Sequence, residues 1–406
     1  MYCTRKVCEN IYWVGSEDRR LALFENLFPI PRGVSYNAYL ILDEKTALMD
    51  TVDYSEGRQL LENVAHLLDG RPLDYLVVDH MEPDHCATIG DLALRYPQMK
   101  IVGNAKTIQM IRQFYDFDLE GRTYLVQEGD ELSLGAHTLK FVMAPMVHWP
   151  EVMMAYELKE KILFSADAFG TFGALNGNLF SDQVNFERDW LDDSRRYYTN
   201  IVGKYGPQVQ AVLKKASGLE INMLCPLHGP IWRENLGWFL EKYDRWSRYE
   251  PEDQAVAVFY GSIYGHTENA VNLLMNLLSE AGVKNIAAYD VSSTHVSHLI
   301  AEAWRCSHLV FAAPTYNMNL YPPMEAFLRD MKALNLQNRT VAVIENGTWA
   351  CASGKHMRAL LEEMKGMNLL ENSLKLTSSM KADQMDTLQQ LCDALVSSLN
   401  QNGTDL

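Results

Sequence analysis

The sequence predicts two α/β domains in succession: two packed sheets with helices outside them, then a doubly wound parallel sheet. Three observations carry this reading. At 406 residues the chain exceeds one ordinary domain. Short apolar runs, several of them alternating, fill its first part. After a charged, proline-containing link, strand and helix patterns alternate regularly.

In the first part, VSYNAYLILD, KTALMDTV, LDYLVVDH, KIVGN, HTLKFVMAP, VMMAYELKE and KILFSAD read as strands. GRQLLENVAHLLDG and TIQMIRQFY have helical periodicity and fall between some of them. Mixed strands with interspersed helices suggest two sheets packed together and flanked by helices. The stretch ENLGWFLEKYDRWSRYEPEDQ reads as an amphipathic helix that closes this domain, then a link. The expected domains are residues 1–250 and 254–406. Beyond the link, AVAVFYGS, NIAAYDV, HLVFAAPTY and TVAVIENG are apolar, β-branched strands, each followed by a helical pattern. That order implies a parallel sheet whose ligand site lies at the carboxyl ends of its strands, near the topological switch point.

Composition bounds the function. Hydrophobic residues make up 48% and charged residues 22%, as in a globular protein able to bury a core in each domain. The formal charge of −16 argues against nucleic acid or an anionic membrane as partner. No apolar run reaches the ~18 residues of a spanning helix, and MYCTRKVCEN has no apolar stretch behind it to make a signal peptide. The seven cysteines are scattered and contain no C-x-x-C pair. Free thiols in a reducing cytoplasm fit that pattern, and a cysteine-ligated iron site within this chain does not.

The most specific feature is His80-Met81-Glu82-Pro83-Asp84-His85, directly after the strand YLVVD. Alone, it could be a solvated polar loop. His148 follows FVMAP, Asp167 follows KILFSA, and His228 sits in CPLHGP after INMLC. Each is one potential ligand at the end of an expected strand, a placement that independent core histidines would not repeat. Together they point to a metal centre. The set resembles the metallo-β-lactamase superfamily, whose usual first motif, H-x-H-x-D-H, has a histidine where this chain has Glu82. H-x-E-x-D-H followed by a lone His, Asp and His is similar to the flavodiiron family, and FENLFPIPRGVSYNAYL and SADAFG also look like family sequence. Glu82, Asp84 and Asp167 make the site harder and more anionic, better suited to two irons than to zinc. The resemblance implies His80, Glu82 and His148 on one iron, Asp84, His85 and His228 on the other, and Asp167 bridging. Cys86-Ala87 departs from the family's small hydroxyl or alanine followed by glycine. Trp149 and Tyr36 are candidates either to shape the pocket or to pack the core.

The second part resembles a flavodoxin. Its first strand ends in Gly261-Ser262-Ile263-Tyr264-Gly265-His266-Thr267-Glu268-Asn269, and a helix follows. Hydroxyls and backbone N–H groups at a helix N-terminus form an anion site, with Ser262, Thr267 and Asn269 as expected contacts to a terminal phosphate. Serine and threonine there also serve as ordinary helix caps. Pro314-Thr315-Tyr316-Asn317-Met318-Asn319 and Asn346-Gly347-Thr348-Trp349-Ala350 end two further strands, each carrying an aromatic residue able to stack on a flavin. Tyr316 and Trp349 could instead simply pack a loop. The last loop departs from the tyrosine-glycine-tryptophan order more usual there. No G-x-G-x-x-G marks a dinucleotide site.

What the resemblance implies is a cytoplasmic oxidoreductase with FMN and two non-haem iron ions. It would reduce O2 to water, NO to N2O, or both. A diferrous pair and reduced FMN each supply two electrons; release after only two had reached O2 would give peroxide. The chain ends soon after the last flavodoxin-like helix, so an external donor, rubredoxin first, is expected in place of an appended module. A head-to-tail homodimer, or a dimer of dimers, would bring one subunit's flavin to the other's irons. Two alternatives stand beside this: a zinc hydrolase fused to a flavodoxin, and a gas sensor without turnover.

Overall fold

The structure is a computed structural model that describes residues 1–402. The chain divides into two compact units between Asp244 and Arg245. That division falls inside the helix Leu236–Ser247 rather than at the link beyond it. The helix's last turn belongs with the second unit: the Trp246 carbonyl accepts from Trp304 Nε1 at 3.1 Å, and Trp246 Nε1 donates to Glu252.

The first unit contains a seven-stranded and a five-stranded sheet. In the larger, Arg5–Cys8, Ile11–Trp13, Tyr39–Leu42 and Thr46–Met49 run antiparallel. Tyr75–Val77, Lys100–Gly103 and Thr123–Leu125 then add in parallel. In the smaller, Glu131–Ser133, Thr138–Met143, Met153–Glu157 and Ile162–Phe164 are antiparallel, and Met223–Cys225 pairs parallel to the last. Thr46–Met49 and Met153–Glu157 are buried at every position, which requires cover on both faces of each sheet. Amphipathic helices provide part of it. Gly57–Leu68 buries Leu60, Val64 and Leu68, and ends where Asp69 and Gly70 turn left-handed. Ala105–Phe114 starts at Asn104, whose side chain accepts from the backbone N–H groups of Lys106 and Thr107.

VSYNAYLILD is not one strand. Val34–Tyr36 pairs with Ser16–Asp18, whereas Tyr39–Leu42 joins the large sheet. The break is at Asn37, whose N–H donates to Leu227 O at 2.7 Å and whose Nδ2 donates to Pro226 O and Gly229 O at 2.8 and 2.9 Å. Three hydrogen bonds to the segment around His228 outweigh continued ladder pairing there.

The second unit has a parallel sheet in the order Ile286–Asp290, Asp253–Tyr260, Cys306–Tyr316, Thr340–Asn346, Asn368–Leu376. This is the doubly wound order whose switch point lies between Asp253–Tyr260 and Cys306–Tyr316. One face packs against helices His266–Glu280 and Met385–Asn402 through Val258, Leu274, Val310, Ile344 and Leu391. The edge strand Asn368–Leu376 was not among the expected four. Its polar centre, Glu371-Asn372-Ser373, is exposed and the pairing shifts register beside it, so no apolar run marks it. No described helix is long and apolar enough to cross a membrane.

Candidate metal centre and flavin pocket

All four ligand-bearing segments follow strands of the first unit: Tyr75–Val77, Thr138–Met143, Ile162–Phe164 and Met223–Cys225. They bring seven side chains together in two groups, His80, Glu82, His148, Asp167 and Asp84, His85, His228. Asp167 faces both. Its Oδ2 lies 3.1 Å from His148 Nε2 and 3.4 Å from His80 Nε2, and its Oδ1 lies 3.1 Å from His85 Nε2. Glu82 Oε2 stands 3.0 Å from His148 Nε2, and Asp84 Oδ2 is 3.3 Å from both His85 Nε2 and His228 Nε2.

These spacings suit metal ions. Two donors each about 2.1 Å from one ion, at angles near 90–110°, stand about 3.0–3.4 Å apart. Second hydrogen bonds fix two of the rings. His228 Nδ1 donates to Ser35 O at 2.7 Å, which leaves the Nε2 of the neutral ring as a lone pair. His80 Nδ1 donates to Glu151 Oε1 at 2.9 Å, a carboxylate–histidine pair of the kind that supports metal ligands. His85 and His228 nonetheless meet Nε2 to Nε2 at 3.0 Å. Among the described residues both Asp84 oxygens, Asp167 Oδ1 and His85 Nδ1 have no hydrogen-bond partner although buried. Orphaned buried carboxylate oxygens are costly unless a cation or proton meets them. Burial opposes charge on His85, but Asp84 and Asp167 lift it to about 9. Burial likewise opposes charge on His148, and its bonds to Asp167 and Glu82 lift it to about 9. The donor set therefore fits a pair of divalent or trivalent cations.

Several contributors carry no mark in the sequence. Glu151, fully buried, also accepts from Met81 N at 2.9 Å. Ser35 accepts from Gly229 N through Oγ at 2.7 Å. Tyr197 packs 5.5 Å from His228, its buried hydroxyl unpartnered among the described residues. Of the two aromatic candidates, Trp149 stands edge-on to His80 at 5.3 Å and Tyr36 to His228 at 5.8 Å. Cys86 is buried and donates to Met81 O at 3.2 Å. Burial pushes its thiol up, so it is a packing residue and not a nucleophile.

In the second unit a cavity of about 540 Å³ lies at the carboxyl ends of the strands. Ser262, Ile263, Tyr264, His266, Thr267, Pro314, Thr315, Tyr316, Asn317, Asn346, Gly347, Thr348 and Trp349 line it. Tyr264 and Trp349 are 88% and 89% exposed, so their rings are not loop packing. Three expected residues lie off the wall. Asn269 is exposed two positions beyond Thr267, and about 200° of helical rotation turns it away. Asn319 uses its side-chain oxygen to accept from Leu320 N. Gly265 shapes the turn instead, at φ 85°, its N–H donating to Ser262 Oγ at 3.0 Å. Met318, Ala350 and Ser378 complete the wall. Ser378 follows the edge strand that the apolar pattern does not mark. A helix N-terminus below and exposed rings above fit a planar cofactor with a terminal phosphate.

A family model described as ODP family beta lactamase matches residues 34–229, a span that holds all seven candidate ligands. The anaerobic nitric oxide reductase flavorubredoxin of Aeromonas hydrophila is 30% identical over 84% of this chain and 70% of its own length. The solved rubredoxin:oxygen oxidoreductase of Desulfovibrio gigas superposes with a TM-score of 0.91 at 27% identity, covering 98% of this chain and 99% of that one. The flavodiiron protein of Giardia intestinalis has the same fold, with a TM-score of 0.91 at 24% identity over 99% of each chain. Likeness that runs through both units in one order, at this identity, makes the chain a member of the flavodiiron protein family.

Proposed function

We propose that this protein reduces O2 to water, NO to N2O, or both, at a di-iron centre in the first unit that receives electrons through FMN in the second. The observation that carries the reading is Asp167, whose two oxygens face separate sets of histidine nitrogens. His80, Glu82 and His148 would hold one iron, and Asp84, His85 and His228 the other, with Asp167 between them. The flavin phosphate would sit at the start of helix His266–Glu280, and the ring between Tyr316, Tyr264 and Trp349. When bound, the irons and flavin supply the redox chemistry, four electrons and four protons for O2 to two waters, or two of each for two NO to N2O and water.

The chain's own residues set the conditions for that chemistry. Glu151 and the Ser35 carbonyl hold His80 and His228 with Nε2 turned inward. Phe24, 5.4 Å edge-on to His228, and Tyr36 are buried beside that ligand, and Trp149 stands edge-on to His80. The Tyr197 hydroxyl, buried beside His228, has no hydrogen-bond partner among the described residues and would be a donor for an oxygen atom there. Rubredoxin is the proposed donor, since the Desulfovibrio relative is named for that pairing. A head-to-tail assembly in the cytoplasm completes the proposal.

Anaerobic purification with metal and flavin quantitation, followed by gas consumption with reduced rubredoxin, tests the reading. Roughly two irons and one FMN per chain, with rapid consumption, are expected. Zinc instead, and no consumption after iron reconstitution, would sink it in favour of a hydrolase.

A further inference from the structure

One side chain ties together the loops around the flavin pocket. Asn346 ends the strand Thr340–Asn346 and is 6% exposed. Its Oδ1 accepts from Ser378 N at 3.1 Å, and its Nδ2 donates to Ser378 O at 2.9 Å. That pairing fixes which end of the amide is nitrogen, because a flip would set acceptor against acceptor and donor against donor. The other Nδ2 proton goes to Thr267 Oγ1, 3.1 Å away. Thr267 is buried in the first turn of helix His266–Glu280, on the pocket wall. Its oxygen already accepts from Asn346, and its hydroxyl proton meets no acceptor among the described residues. The pocket is where an acceptor can stand.

We infer that Asn346 is a positioning residue for the flavin's phosphate: by donating to Thr267 it turns that hydroxyl to donate to a terminal phosphate oxygen. This rests on the reading that the pocket takes FMN. A phosphate ester dianion at a helix N-terminus is a pure acceptor, so a hydroxyl there helps only if its proton is aimed at the anion. A free threonine rotor could accept from a backbone N–H and point its proton away. The Asn346 amide, locked by Ser378, removes that option.

The test uses the full chain stripped of flavin and titrated with FMN and, separately, riboflavin, which lacks the phosphate. In N346A the FMN Kd should rise about 10- to 100-fold, the size of one hydrogen bond to a charged group, with riboflavin unchanged within about twofold. T267V should lose FMN affinity to the same extent, and the double variant no further. Equal weakening of both flavins in N346A would overturn the inference, because Asn346 would then act on the ring or the whole loop. Losses that multiply in the double variant would overturn it as well. Should N346A not fold, N346S keeps a small polar group and is read the same way. Failure of the wild-type chain to take up FMN at all would remove the FMN reading, and this inference with it.

Discussion

The two sites are built in opposite ways. The candidate metal centre is buried, and its ligands are held by partners such as Glu151 and Ser35. The flavin pocket is open, and two of its aromatic rings stand almost wholly in solvent. A redox metal pair needs fixed geometry and little water, which strand ends beneath a packed shell supply. A cofactor that must hand electrons onward needs an accessible edge, which loops supply. The lesson is that one chain keeps rigidity and exposure in separate folds.

Asp167→Ala should break the contrast most severely. It removes a carboxylate that faces both histidine sets, so iron per chain should fall roughly tenfold or more on metal analysis. FMN content should be unchanged. Glu151→Gln tests preorganisation instead. It keeps the shape but loses the charge that orients His80, and iron affinity measured against a chelator should fall about 10- to 100-fold. A smaller effect is expected at Trp349→Ala. Loss of a stacking ring should weaken FMN binding by about 2- to 10-fold in a fluorescence titration, with iron content unaffected.

The effect most remote from either site concerns the start of strand Cys306–Tyr316. His308 is fully buried between Ser307 Oγ and Ser398 Oγ, and burial holds it at about 4, down from 6.5. A lowered folded-state value means that the unfolded chain binds the extra proton across this window. Stability present above pH 6.5 is therefore lost as pH falls toward 4. His308→Gln should flatten that dependence by at most about 1.4 kcal/mol per pH unit, read from urea unfolding at several pH values. Identical slopes in the two proteins would show that His308 is not the titrating group.

Much of this was legible beforehand for definite reasons. Strand periodicity and the close spacing of His80, Glu82, Asp84 and His85 are local, so they survive in one dimension. The aromatic flavin loops are legible too, because each directly follows an apolar strand. Illegible parts depend on contacts between distant segments. The break at Asn37 is made by residues of the His228 loop. Asn269 looked equivalent to Thr267 until helical rotation turned it outward.

By itself, then, the sequence determined the two α/β folds and their order, and marked seven candidate ligands, four of them within six residues and His148, Asp167 and His228 each after an expected strand. Only the tertiary structure decided that Asp167 divides its oxygens between two histidine sets, that Glu151 and Ser35 set ring orientation, and that Asn346 reaches Thr267 and Ser378. A hydrogen bond depends on angles and tenths of an ångström across residues far apart in the chain, and packing alone fixes those.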